Sequence, residues 1–342
     1  MYKFLYTEHL NEKTTEFETK SLLYLLSMRE DSQEINTFII DCFNDVTGAT
    51  ENCDKLWDVQ SKGIKTLRPL TIGESLITLF ENYLSSLNFD YYILFFPKLN
   101  DIYFLDNNIN VFNIYNFKDK FISKIVEGLK NEYIKRNKSP IEEKTIMNFL
   151  NEVNFVIDKD SKSEYIKNII NFKRNFGKNN DFFDSIFDEI RDKQSVLKNI
   201  SIHHKEIEKA SEVLQYNKYL KKNDIEMLII NRIIGVDIFK NIGIPLEFFQ
   251  IIKNYDLDLQ KDIINKCNSE ISLMIFNNSD KEIFWSFFEK IYLLLKQKHT
   301  YTLDDIFKEI KGEKIIKKKI LSEISAKYFI VLMKEGVENE NT

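Results

Sequence analysis

The chain has 342 residues, 43% of them hydrophobic, and a formal net charge of −5. This length and apolar content suit two domains or one large one with a full core, and the acidic balance argues against tight, non-specific nucleic-acid binding by the chain alone. Three cysteines without metal-ligand spacing (Cys42, Cys53, Cys267), no leader-like apolar region in the first six residues and no apolar run of about 18 residues imply reduced thiols, a cytoplasmic location and no membrane span.

Glycine (9) and proline (4) are sparse, which favours long helices over a turn-rich all-β fold. The first expected helix covers residues 14–29, capped by Thr14 or Thr15 with Glu16 and Glu18 in its first turn. Leu22, Leu25, Leu26 and Arg29 follow Glu18 at helical spacing, so Glu18 heads the core-facing row. It is either a glutamate kept inside for a metal or an ordinary first-turn acid favoured by the helix dipole.

Residues 36–47 have strand composition, residues 48–52 make a turn, and a return strand carries Leu56, Asp58, Gln60 and Lys62 on one face. Asp41, Phe43, Asp45 and Thr47 are expected to share a face of the first strand. A helix capped by Thr71 runs to about Leu87, residues 89–96 form a central strand ending at Pro97, and 102–105 and 109–115 are short strands.

Residues 118–136 are helical, and Asn137–Pro140 marks a boundary. Beyond it nearly every segment has helical periodicity: 146–153, 162–172, 182–196, 202–220, 225–239, 247–255, 281–295 and 303–310. The expectation is an α/β domain over residues 1–135, a mixed sheet flanked by helices, followed by a mainly α-helical domain over 140–342. Gly177, Gly235, Gly243-Ile-Pro245 and Gly312 punctuate the helical part.

The chemistry-bearing pattern is Asp45 with Gln60 and Lys62, fifteen residues separating Asp45 from Gln60. Adjacent strands lie about 4.8 Å apart, so a carboxylate and an amide at this spacing can converge on one ion. Phosphodiester hydrolysis needs an activated water and charge stabilisation, both supplied by Mg²⁺ or Mn²⁺ on hard oxygen ligands. Asp45, the Gln60 side-chain oxygen and the Ser61 carbonyl are the candidate metal ligands, with Glu18 as a further one. Lys62 would orient the water or neutralise developing charge. Asp41 and Asp58 stay open as alternative ligands. His203-His204 cannot easily share a metal and read as a solvated helix turn. The basic run Lys314–Ile320 reads as a solvated face, with phosphate contact or a winged-helix-like end as the other reading.

A carboxylate followed on the next strand by an acidic or amide residue two places before a lysine resembles the PD-(D/E)XK nucleases. Phe17-Glu18 opening a leucine-rich helix, Asn44-Asp45-Val46 and Trp57-Asp-Val-Gln-Ser-Lys62 carry a narrower resemblance. So do the 71–87 helix leading into Asp90–Pro97, and Ile146–Phe155. Over about the first 170 residues the chain resembles the nuclease domain of the CD-NTase-associated double-stranded DNA endonucleases. Related domains act in bacterial anti-phage systems, including CBASS, Lamassu-type and HerA-associated ones. The resemblance implies a restriction-endonuclease-like fold and metal-dependent cleavage of double-stranded DNA, with Asp45, Gln60, Lys62 and Glu18 as catalytic residues. It also implies an SMC-like or other ATPase as protein partner; self-assembly into a homo-oligomer is the other means of control. The rival class is a catalytically inactive nuclease-fold interaction subunit, which the Gln at 60 and the acidic charge favour. A third is a DNA-binding module acting through the C-terminal basic run.

Overall fold

A computed structural model describes residues 1–4, 12–64, 67–170, 178–235, 237–239, 243–277, 281–297 and 301–339. The chain divides into two compact units, residues 1–168 with 181–224, and residues 169–180 with 225–342. The Thr14 side chain, residues 171 and 172 of an expected helix, and Gly177 lie outside the described residues.

The first unit is built on a mixed seven-stranded sheet. Its strands are β2 (Thr37–Ile40), β3 (Val46–Ala49), β4 (Leu56–Ser61), β5 (Tyr91–Pro97), β6 (Val111–Phe112), β7 (Val153–Asp158) and β9 (Tyr219–Lys221), in the order β6-β7-β5-β4-β3-β2-β9. β4, β5 and β7 run parallel and the other pairings are antiparallel. Of the parallel strands, β5 and β7 are nearly continuous apolar runs, as strands buried on both faces are, while β4 carries Asp58, Gln60 and Ser61. A separate two-stranded ribbon pairs β1 (Tyr2–Lys3) with β8 (Glu206–Ile207).

Helix α1 (Glu12–Ser27) covers one face of the sheet, where Phe17 and Tyr24 pack on Phe95 of β5. The opposite face holds α2 (Pro69–Ser75), α3 (Ile77–Tyr83), α4 (Asp119–Asn137) and α5 (Glu143–Glu152). Their apolar side chains, among them Phe80, Leu129 and Phe149, share one core with Leu94, Phe96 and Phe155 of the sheet. Helices α2 and α4 touch backbone to backbone at two glycines. A Cβ at Gly73 would stand 2.0 Å from the Ile125 carbonyl oxygen, and one at Gly128 2.0 Å from that of Leu70. Helices α6 (Lys162–Ile170) and α7 (Asn180–Lys198) follow β7.

The second unit is helical among its described residues: most of α8 (Lys222–Ile234), then α9 (Leu246–Ile252), α10 (Leu257–Phe276), α11 (Lys281–Gln297), α12 (Leu303–Ile310), α13 (Lys314–Lys317) and α14 (Glu323–Asn339). Thr302 caps α12 in a reciprocal capping box with Asp305. The basic run forms the short α13 and a turn. Ile315 is buried, while Lys314, Lys317, Lys318 and Lys319 are exposed, and no strand of a winged helix accompanies them among the described residues. No described helix is long and apolar enough to cross a membrane.

Several expectations need correction. The 36–47 run is two strands, because Asp41 adopts a left-handed backbone (φ 50°) and its N–H donates to the Asp45 carbonyl, closing a tight connection. The expected face of Asp41, Phe43, Asp45 and Thr47 therefore does not exist. The helix expected from Thr71 starts at Pro69 and is two short helices. Residues 102–105 and 109–115 are mostly 3₁₀ turns around β6. Residues 202–220 are not a helix: β8 pairs with β1, and β9 extends the sheet beside β2. Pairing with distant strands overrides the local helical spacing there. The domain boundary at 135–140 falls inside the first unit, since β7 and β9 lie beyond it in sequence and belong to the sheet.

Candidate functional site at the end of strand β4

Strand β4 is buried throughout, so its alternation divides two environments. Trp57, Val59 and Ser61 point one way, with the Trp57 indole N–H donating to Asp31 at 2.9 Å. Asp58 and Gln60 point to the other face, where Asn82 of α3 donates to Asp58 at 2.7 Å. Asp45 immediately precedes β3. The β3–β4 register pairs Val46 with Val59, which sets Asp45 opposite Gln60.

Asp45 Oδ2 accepts hydrogen bonds from Gln60 Nε2 (2.7 Å), the Ser61 backbone N–H (2.7 Å) and Ser61 Oγ (2.9 Å). The carboxylate thus bridges both faces of β4 at its C-terminal end. Asn44 Oδ1 accepts from the Asp45 N–H at 3.0 Å and fixes the connection. The structure therefore brings Asp45 and Gln60 together.

Glu18 lies buried on α1, ion-paired with Lys198 at the end of α7. Burial pushes its carboxyl up to about 7. The Asp45 charge, and more weakly that of Asp41, add to the rise, and Lys198 opposes it. Asp41 is ion-paired with Lys218 at 3.3 Å. Burial raises its pKa, Lys218 and Lys198 pull it down, and Asp45 raises it. Asp41, Asp45 and Glu18 thus form one electrostatic cluster with Lys198 and Lys218.

Asp58, kept open as an alternative ligand, has no exposed surface. Its oxygens receive Asn82 at 2.7 Å and Thr47 at 3.3 Å, and burial raises its carboxyl to about 7. It belongs to the packing behind the site. Lys62 is half-buried just past β4, and its N–H donates to the Phe95 carbonyl at 2.9 Å. Among the described residues its ammonium has no hydrogen bond or ion pair. His203 and His204 are exposed in the turn before β8, His204 with a left-handed backbone, and take no part.

A cleft of about 920 Å³ opens against the cluster. Asp41, Asn44, Asp45 and Gln60 line one side, and Glu81, Asn82, Tyr133 and Arg136 of α3 and α4 line the other. Lys62 and Glu18 do not line it. Sequence reasoning missed Ser61 as a side-chain partner of Asp45, and it missed Asn82, Lys198 and Lys218. Only Ser61 carried a local signal, its place between Gln60 and Lys62.

Among the described residues no three His, Cys, Asp or Glu side chains converge as ready-made metal ligands. A mixed set of hard donors fits a small cation better. Asp45 Oδ2 and the Gln60 amide terminus are 2.7 Å apart, close to the roughly 2.9 Å between neighbouring oxygens around Mg²⁺. Rotating the amide by half a turn places its oxygen where its nitrogen stands.

No protein-family model and no curated protein matches the chain. One solved structure that resembles it is the Moraxella osloensis Cap4 SAVED/CARF-domain containing receptor, with a TM-score of 0.35 and 15% identity. The match covers 65% of this chain and 46% of that one, so the chain spans less than half of that protein's length. At that level the likeness is a distant one and says nothing of what this chain does.

Proposed function

We propose that the chain is a metal-dependent DNA endonuclease of a bacterial anti-phage system, acting through Asp45, Gln60, Glu18 and Lys62. The observation that supports this most is the contact of Asp45 with Gln60 at the end of β4, beside a cleft. Asp45, the turned Gln60 amide and Glu18 would hold Mg²⁺ or Mn²⁺, which when bound supplies Lewis acidity toward a phosphodiester and its attacking water. Ser61 holds the Asp45 carboxylate in place through two hydrogen bonds. Lys62, uncommitted among the described residues, is the group to orient the water or offset charge on the phosphate. Double-stranded DNA as substrate, the defence role, and an SMC-like or other ATPase partner or a homo-oligomer as means of control come from the sequence resemblance. Cleavage of plasmid DNA in Mg²⁺ by the unaltered chain and by Asp45→Ala and Lys62→Ala variants tests the proposal.

A second reading is a nuclease-fold interaction subunit without activity. The three donors already on Asp45 Oδ2 favour it, because they satisfy that oxygen without an ion. Calorimetry with Mg²⁺ and Mn²⁺ separates the two: no Asp45-dependent binding means the interaction subunit.

A further inference from the structure

Two ammonium groups reach the acidic cluster from sequence positions far beyond the sheet's central strands. Lys218, just before β9, has a side chain with 0% exposure, 3.3 Å from Asp41. Lys198, in the last turn of α7, is paired with Glu18, the two side chains 10% and 5% exposed. A buried ammonium is costly unless negative charge compensates it. Glu18, Asp41 and Asp45 supply that charge: Asp45 and Asp41 act on Glu18, and Asp45 acts on Asp41.

The two lysines differ in what surrounds them. Lys218 is enclosed completely, and its partner sits in a left-handed turn that fixes the β2–β3 connection. Lys198 sits where a helix ends. The last carbonyls of a helix lack intrahelical partners, and its C-terminal dipole attracts cations. The Lys198 ammonium sits on a flexible four-carbon stem, and unlike that of Lys218 its side chain keeps a path to solvent, 10% exposed against 0%. Glu18 is thus the acid of the cluster whose counter-ion can depart.

We propose that Lys198 is the internal counter-cation of this site: it holds Glu18 in the metal-free chain and competes with a divalent cation for it. This rests on reading Asp45, Gln60 and Glu18 as metal ligands. Cation binding then expels Lys198 from Glu18 and loosens the end of α7, so occupancy of the site is coupled to the segment between α7 and β8.

The test is calorimetric titration of Mn²⁺ and of Mg²⁺ into the full chain without nucleic acid, with Lys198→Gln, Lys198→Arg and Asp45→Ala variants checked for folding by thermal melting. Lys198→Gln should bind ~10-fold tighter, because one nearby like charge is gone, while Lys198→Arg stays within about threefold of the unaltered chain. A second measurement needs no variant: amide hydrogen exchange over residues 196–200 of the unaltered chain should speed up when Mn²⁺ is saturating. If the unaltered chain binds the ion through Asp45 but Lys198→Gln binds no tighter, or exchange at the end of α7 does not change, the inference falls and the metal reading stands. If no variant binds either ion, both fall.

Discussion

The amide nitrogen of Gln60 stands 2.7 Å from the carboxylate oxygen of Asp45, across two neighbouring strands that meet in antiparallel register. Two further donors from Ser61 converge on the same oxygen. Asp45→Ala leaves all three without that acceptor. The expected cost is about 1–3 kcal/mol of stability, read as a lower urea midpoint at unchanged slope. Gln60→Ala removes one donor and keeps the acceptor served by Ser61, so it should cost less than Asp45→Ala. The opposite ranking would show that the amide, not the carboxylate, organises the end of β4.

Asp58 makes stability depend on pH. Its native carboxyl is raised to about 7 by burial, against an ordinary value of 3.8. The native state therefore holds a proton that the unfolded chain has released, and stability falls as pH rises from about 4 through 7. Glu18, raised to about 7 from 4.5, acts in the same direction. Asp58→Asn keeps a neutral, hydrogen-bonding side chain at every pH. It should flatten the decline between pH 5 and pH 8 and melt higher than the unaltered chain at pH 8. Urea unfolding at both pH values measures this, and an unchanged slope would contradict the account.

Lys20 of α1 and Asp158 of β7 form a buried ion pair at 2.8 Å, and the Tyr165 hydroxyl donates to the other Asp158 oxygen at 2.8 Å. Removing one partner leaves the other charge uncompensated, at a cost of about 3–5 kcal/mol. Lys20→Met and Asp158→Asn should each destabilise strongly, and the double variant should cost much less than their sum. A double-mutant cycle by chemical denaturation reports the coupling; additive losses would mean that the pair contributes nothing jointly.

Gly73 and Gly128 permit the backbone contact between α2 and α4. An added methyl at either position meets a carbonyl oxygen at 2.0 Å, and relief requires moving a whole helix. Gly73→Ala and Gly128→Ala should each cost about 1–3 kcal/mol or more through overpacking. In an exposed helix interior the same change would stabilise. Thermal melting distinguishes the two signs.

Where local pattern decided the fold, the sequence was enough. The apolar run at 89–96 became the central β5, and the 281–295 and 303–310 periodicities became α11 and α12. Asp45 and Gln60 were legible because hairpin spacing is a short-range property. Asp41's left-handed turn was not legible, since aspartate tolerates either backbone and nothing nearby selects one. The strands β8 and β9 gave no local signal because their partners, β1 and β2, lie 180 residues or more away in the chain. Lys198 and Lys218 were hidden for the same reason: a lysine's counter-ion is chosen by the tertiary fold. Helix α10 was missed although it is twenty residues long, its apolar positions being interleaved with polar ones.

The most direct test of the account is cleavage of plasmid DNA in Mg²⁺ by the unaltered chain, supplied with its partner if one is needed, beside Asp45→Ala and Lys62→Ala. The account predicts cleavage that EDTA abolishes and that either substitution lowers by about 10²-fold or more, with Lys62→Ala still folded and still binding the ion. Cleavage unchanged in both variants would contradict it.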